Sequence, residues 1–241
     1  MSRTADDDET IRKRSGWIIP LGILLVTVGL SAAFLIYYLA PVNPTLFGKQ
    51  INPTSRSDLV RLSLGGMHFQ IPANYLIYAA DRQGGVKKEI QMFALLPDLT
   101  GWSNWDADAF SSNSTDSRVV YLNLHQDRSG LSEEEKLNRV YRDYLSDQGT
   151  PAQFGLTVYG FREDTGYRGE ELLAGKIGQA LVLMRCVRAS KQVPNPSCLR
   201  EIFLTKGVSL SYRFKRSHLQ EWQAIALKID QRIKSFVIEP H

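Results

Sequence analysis

The sequence is poor in the residues that build metal centres and reactive sites. It contains two cysteines and four histidines in 241 residues, too few thiols for a disulfide scaffold or a four-thiolate zinc site. No H-x3-H or HExxH pattern occurs, and solvated or capping roles are expected for His68 and His218. The other two histidines are His125 and the terminal His241. The sequence therefore predicts no metal site and no bound cofactor.

Recognised catalytic motifs are also missing. The chain has no G-x-S-x-G elbow, S-x-x-K pair, P-loop or dinucleotide fingerprint. The acids at 133–135 are explained by the start of a helix. Glu170 and Glu171 follow a glycine-flanked turn and could pair with Arg168. The sequence thus predicts a protein that is not an enzyme, although a carboxylate pair assembled from distant positions would escape this search.

Positive charge is only slightly in excess. The net charge of +4 and the pI of about 9.0 fall well short of a nucleic-acid-binding arm, so no nucleic-acid partner is expected. Eight Lys or Arg residues nevertheless lie between Arg185 and Arg216, against the single acid Glu201. Such a cluster could face anionic lipid head groups or an acidic partner. More often such charges form the solvated face of an antiparallel sheet.

One long run without charge is present, from Trp17 to Leu39. As a helix at 1.5 Å per residue it would extend about 34 Å, enough to cross a bilayer core of about 30 Å. Basic residues at 12–14 precede the run and none follows before Lys49, which favours a cytoplasmic N-terminus. A buried core helix and a cleaved signal peptide are the alternatives, but no cleavage site follows before Pro41. The pattern predicts an uncleaved signal-anchor.

The remaining boundaries follow from this anchor. We expect a cytoplasmic tail at 1–16, a transmembrane helix at 17–39, a proline-containing stalk at 40–57 and a periplasmic domain at 58–241. Within the span, Gly29 and Ala33 form one small-xxx-small step, a weak pattern for helix pairing. The chain is thus predicted to be a single-pass protein of a bacterial inner membrane.

An exported domain would place the two cysteines in an oxidising compartment, where disulfides persist. Cys186 and Cys198 are each other's only partners within the chain, and the VPNP segment between them favours a turn-rich connection. Closing this loop should stabilise the fold by about 3 kcal/mol. The alternative is a pair of buried free thiols.

Alternating apolar residues predict an α+β domain with a mostly antiparallel sheet. The segment VRLSLGGMHFQI alternates around Gly65-Gly66 and predicts a hairpin with a type I′ or II′ turn. CLREIFLT and VSLSYRF predict a second hairpin around Lys206-Gly207. Further strands are predicted at 89–96, 118–125, 153–161 and 179–187.

Two amphipathic helices are predicted to pack on this sheet. The first begins at Ser132, where a capping box with Glu135 is expected, and ends before Gly149. The second begins at Ser217 and carries apolar residues at helical spacing, so it should lie across the sheet.

The end of the chain, VSLSYRF followed by WQAIALKIDQRIKSF, resembles the Mog1/PsbP-like α/β/α sandwiches over about 35 residues. That resemblance implies a binding or accessory module rather than an enzyme.

An aromatic loop, LLPDLTGWSNWDADAF, carries Trp102, Trp105 and Phe110 among turn-forming acids. Aromatic residues on a loop can anchor a partner, or they can fold back over the edge of the sheet. The acids suggest calcium, yet the EF-hand pattern is missing.

These observations predict a membrane-anchored, protein-binding module that serves as an accessory or assembly subunit of an envelope complex. The alternatives are a ligand- or stress-sensing domain, an immunity or inhibitor protein, and an envelope hydrolase. The candidate partner-binding residues are Trp102, Trp105, Phe110, Arg185, Arg188, Lys191 and Arg200.

Overall fold

The computed structural model describes residues 17–39, 51–205 and 207–238, and the chain divides into two units, 1–47 and 48–241. The first unit contains α1 (Ile18–Leu39), so the segment predicted to span a membrane is helical. No helix in the described ranges combines the length and apolarity that crossing a bilayer requires. The membrane span therefore stays a prediction. The predicted cytoplasmic tail, the stalk residues 40–50, Lys206 and His241 lie outside the described residues.

The second unit is built around a large antiparallel sheet, as the alternation of apolar residues predicts. Among the described residues the strand order is β4-β5-β11-β10-β9-β8-β7-β6. The strands are β4 (Glu89–Leu95), β5 (Val119–Asp127), β6 (Thr150–Pro151), β7 (Thr157–Gly160), β8 (Glu170–Ile177), β9 (Ala180–Val187), β10 (Ser197–Thr205) and β11 (Gly207–Lys215).

A smaller sheet has the order β12-β2-β1-β3 within the described part of the chain. Its members are β1 (Leu59–Leu64), β2 (Met67–Pro72), β3 (Gly85–Val86) and β12 (Val237–Ile238). The predicted β1–β2 hairpin is confirmed, and positive φ angles of 57° at Gly65 and 87° at Gly66 form its turn. Among the strands of the described ranges, only β1 and β3 pair in parallel.

The last helix, α4 (Trp222–Phe236), provides the centre of the main core. Trp222, Ile225, Ile229 and Ile233 lie on its buried side, as their spacing predicts. The predicted start at Ser217 is wrong. A 3₁₀ turn occupies Arg216–Glu221, and the Ser217 hydroxyl donates to the Thr115 carbonyl instead of capping a helix.

The middle helix also differs from the prediction. The capping box between Ser132 and Glu135 is confirmed, but α3 covers only Glu133–Lys136. A π-helical turn at Leu137–Tyr141 and a 3₁₀ turn at Arg142–Tyr144 follow. The side chains of Leu137, Tyr141 and Leu145 all pack on the buried cluster of β7, β8 and β9, and these contacts override a regular helical repeat.

Two strand predictions need correction. The strand predicted at 153–161 is confirmed only over Thr157–Gly160, because Phe154 has a φ of 61° and its carbonyl accepts the Trp222 indole N–H. The strand β8 is absent from the prediction. Glu170 and Glu171 lie at its start and pair with Arg185 and Arg216, not with Arg168.

The predicted disulfide is confirmed. Cys186 of β9 and Cys198 of β10 are direct cross-strand neighbours, and both side chains are fully buried. The bond joins the two strands at the mouth of the loop between them.

Candidate partner-binding face

The large sheet has a covered inner face and a partly open outer face. The inner face packs on α4 and the small sheet in one continuous core. The loop 96–118, which contains α2 (Ala107–Ser111), covers the outer face at the β4–β5 end. The segment that begins with α3 covers it at the β8–β9 end. The outer faces of β5, β11 and β10 between these two covers line a groove.

The groove has a volume of about 530 Å³. Cross-strand register places its floor residues side by side, since Tyr121 and Leu199 flank Arg213 while Asn123 flanks Ser211. These positions alternate with core residues along each strand. The floor and walls are therefore mainly hydroxyl and amide side chains, and Tyr121, 49% exposed, is an exposed aromatic member of the lining.

Two cations form one edge of the groove. Arg213 is exposed on β11, and no ion pair involves it among the residues that the structure describes. Lys215 lies two residues further on and is 9% exposed. Its Nζ donates to Asn113 Oδ1 at 2.6 Å and to the Asn195 carbonyl at 3.1 Å. Burial, reinforced by the charge of Arg213, lowers the pKa of Lys215.

An apolar cavity of about 300 Å³ continues the groove at the opposite edge. Its walls include Phe93 and Phe110, whose rings meet edge to face at 4.8 Å, together with Trp102. The cavity and the groove share Tyr121 and Val119 in their linings. The outer face thus has a cationic edge and an apolar end, with a polar row of Gln91, Asn123 and Ser211 beside them.

The aromatic loop supplies part of this apolar end. Trp102 and Phe110 fold back against the sheet, with Phe110 buried and Trp102 half-buried. Trp105 lies in the turn before α2 and is 97% exposed. Trp is one of the residue types enriched among the energetically important residues of protein interfaces.

The four basic residues selected from the sequence do not share one surface. Arg185 pairs with Glu170 at 3.0 Å, and Arg188 pairs with Glu163 at 3.1 Å. The Arg200 side chain is buried. Lys191 is exposed in the disulfide loop.

Sequence reasoning did not single out Arg213, Lys215 and Tyr121. A signal for them is present in the alternation of SYRFK and YLNLH, where polar residues occupy every second position. It could not be used, because an outward side chain on one strand reveals nothing about which strands are its neighbours.

The charged side chains in the described lining of the groove are both cations, Arg213 and Lys215. Its described lining contains no His, Cys, Asp or Glu. Elsewhere in the described ranges, no group of three or more His, Cys, Asp or Glu residues could hold a metal ion.

Comparisons with known proteins identify related folds. No protein-family model matches the chain, and no curated protein matches it. One similar structure is Smlt3025, an immunity protein of the Stenotrophomonas maltophilia type IV secretion system. It has a TM-score of 0.54 and 15% identity over 79% of this chain and 100% of that one.

A second is the iron-regulated outer membrane lipoprotein FrpD of Neisseria meningitidis. Its TM-score is 0.50, with 14% identity over 78% of this chain and 97% of that one. At these identities the likeness shows a shared α+β fold. The resemblance to Mog1/PsbP-like domains stays a prediction.

Proposed function

We propose that the protein is an immunity-type binding protein of the bacterial envelope, which captures a secreted protein toxin and blocks its action. The observation that carries the proposal is the open outer face of the large sheet. This face offers a groove of about 530 Å³, an arginine that has no ion pair among the described residues, and a neighbouring apolar cavity. The immunity protein Smlt3025 has the same fold along its whole length, which is consistent with such a role.

The groove lining favours binding over catalysis. General acid–base and nucleophilic catalysis most often use a His, a carboxylate or a thiol close to the substrate, and the described lining has none. The remaining candidate base is Lys215, whose amine is already held by two oxygen acceptors.

The proposed location is the periplasmic side of an inner membrane, with residues 17–39 as the anchor. The uncharged run, the basic residues before it and the buried disulfide support this location. Spheroplasts treated with protease should lose the domain and retain only a short N-terminal fragment. Protection of the whole chain in intact spheroplasts would contradict the orientation.

The binding role is tested by a pull-down of the tagged full chain from native membranes in mild detergent. We expect one stoichiometric partner with the wild type. Tyr121→Ala and Arg213→Ala should lose it, because both side chains line the groove. Arg61→Ala is the matched control, since Arg61 is an exposed strand arginine of the small sheet, and it should retain the partner.

The same partner then decides between immunity and an accessory role. Produced alone in the periplasm, a toxin should arrest growth, and coproduction of this chain should restore it. A harmless partner would instead make the chain an accessory subunit of an envelope complex. Recovery of the chain alone would contradict both roles.

A further inference from the structure

We infer that the partner inserts an acidic segment with a large apolar side chain into the outer-face groove. The carboxylate would lie between Arg213 and Lys215, and the apolar side chain would fill the neighbouring cavity. This inference rests on the proposed function, because it gives the chemistry of the partner at the same face.

The arginines around the groove differ in whether a carboxylate neutralises them. The partly or fully buried arginines of this region each have a carboxylate, as shown by Arg185 with Glu170, Arg216 with Glu171 and the buried Arg200 with Glu133. Arg213 and Lys215 have none among the described residues, and Lys215 is held by neutral oxygens alone. A buried ammonium group without a counter-charge is costly. A carboxylate from a partner would supply that counter-charge.

The spacing of Arg213 and Lys215 suits a carboxylate. Arg213 and Lys215 are alternate residues of one strand, so their side chains lie on the same face, about 7 Å apart along the strand. A guanidinium group binds a carboxylate through two parallel hydrogen bonds. The edge therefore suits one or two carboxylates better than a neutral group.

The apolar cavity lies close enough to the two cations for one peptide to reach both. β11, β5 and β4 are consecutive strands, so the apolar cavity on β4 lies about 10 Å from the cationic edge. Residues i and i+2 of an extended chain are about 7 Å apart. An acidic residue two to four positions from an aromatic or large aliphatic residue therefore fits both ends at once.

The polar floor of the groove favours a peptide over a lipid. Gln91, Asn123 and Ser211 form one cross-strand row of this floor, next to the row of Phe93, Tyr121 and Arg213 that joins the two ends. Their hydroxyl and amide groups match a peptide backbone, whereas an acyl chain would leave them without hydrogen-bond partners. A free phosphate would occupy the cationic edge but not the apolar cavity.

The test is to pan a random dodecapeptide library on the full-length chain in detergent micelles. Enriched peptides should carry Asp or Glu two to four residues from Trp, Phe, Tyr or Leu. Synthetic copies are then titrated by fluorescence anisotropy. Arg213→Gln and Lys215→Met should each weaken binding at least tenfold, as should Asp→Asn in the peptide. Arg61→Gln should leave the affinity unchanged.

The inference is overturned if the enriched peptides show no acidic residues, or if their binding does not depend on Arg213. It is also overturned if inorganic phosphate or phosphatidylglycerol vesicles bind through Arg213 and the acidic peptides do not. Circular dichroism of each variant confirms that a lost affinity is not lost folding.

The two proposals fail separately. A cellular partner whose capture is insensitive to Arg213→Gln, together with peptides lacking acids, would refute the inference and leave the binding role intact. Acidic, apolar peptides that bind through Arg213, without any cellular partner, would uphold the groove chemistry and refute the immunity role.

Discussion

Arg200 of β10 and Glu133 of α3 form a buried, bidentate ion pair. Arg200 Nη2 lies 2.6 Å from Glu133 Oε2, and Nε lies 3.0 Å from Oε1. The two side chains are only 10% and 11% exposed. Burial lowers the pKa of Arg200, but the hydrogen bond and charge of Glu133 outweigh it, and the net shift is upward. This pair joins the middle segment to the sheet.

The pair lies where β9 and β10 separate. Their pairing covers three residues of each strand and stops at Arg200. Beyond it, the backbone N–H of Leu183 donates to Glu133 at 2.8 Å, and that of Leu181 donates to Glu134 at 3.3 Å. The acids at the start of α3 therefore accept hydrogen bonds from backbone N–H groups at the free edge of β9, in addition to beginning a helix.

Glu133→Gln should lower the free energy of unfolding by about 3–5 kcal/mol, because it leaves the guanidinium of Arg200 buried without a counter-charge. Chemical denaturation of the full chain at neutral pH measures this loss. Glu163→Gln is the control, since its ion pair with Arg188 is largely exposed, and it should cost at most about 1 kcal/mol.

Replacing both partners provides a second check. Glu133→Leu with Arg200→Met should cost less than Glu133→Gln alone, because no unpaired charge remains buried. A double variant less stable than the single one would show that the hydrogen bonds to β9, rather than charge pairing, account for the loss.

The carboxylate of Asp127 provides a prediction about pH. It accepts hydrogen bonds at 2.7 Å from the hydroxyl of Ser209 and from both the hydroxyl and the backbone N–H of Ser129. Partial burial raises the pKa of Asp127, but these hydrogen bonds outweigh it and lower the pKa to about 2. Ser209→Ala should raise it towards the ordinary value of about 3.9, as NMR titration of the carboxyl carbon would show. Ser211→Ala should leave it unchanged.

The same group makes stability depend on pH. Because its folded pKa is depressed, its stabilisation is present above the unfolded pKa of about 3.9 and is lost as the pH falls towards 2. Asp127→Asn should therefore be less stable than the wild type at pH 7, and the difference should shrink as the pH falls and vanish once the pH is below about 2. An equal difference at both values would exclude the carboxylate charge as its source.

Much of this fold follows from local patterns in the sequence. The β1–β2 hairpin, the capping box at Ser132 and the apolar stripe of α4 depend on residues close in the chain, and all three are confirmed. The disulfide followed from the compartment and from the lack of any other cysteine. What could not be predicted depends on distant residues.

The strand β8 illustrates this limit. Its glycine, Gly175, weakens any strand pattern, yet it is accommodated because the ring of Trp222 lies against it from α4. The candidate site could not be predicted for the same reason. The aromatic loop could be selected from its sequence, but the groove requires the order β4-β5-β11-β10, which brings together segments about 120 residues apart. The sequence also could not distinguish Arg213 from the nearby arginines that form ion pairs, because their carboxylate partners come from other strands and from α3.

The disulfide should contribute to stability through loop closure. Replacing Cys186 and Cys198 by Ala should lower the free energy of unfolding by about 3 kcal/mol, because the unfolded chain regains the freedom of the closed loop. Denaturation with and without a reductant measures this effect. The reductant should destabilise the wild type to the level of the double variant and leave that variant unchanged. A reductant effect on the variant would point to a cause other than this bond.

The contact between Gly175 and Trp222 gives a last prediction, about how α4 is held on the sheet. A Cβ atom at Gly175 would lie 2.6 Å from Trp222 Cζ2 and 2.9 Å from Leu156 Cδ2. Gly175→Ala should therefore cost about 1–3 kcal/mol through overpacking. Gly166→Ala is the control, because nothing lies within 4 Å of its added Cβ, and it should be nearly neutral.

A double variant tests the cause of this loss. Trp222→Phe removes part of the obstructing ring, so adding it to Gly175→Ala should cost less than the sum of the two single changes. Additive costs would mean that the strain at Gly175 comes from the strand itself and not from the helix. Since α4 and β8 belong to opposite layers of the core, a positive coupling would show that the packing of the C-terminal helix requires a strand position without a side chain.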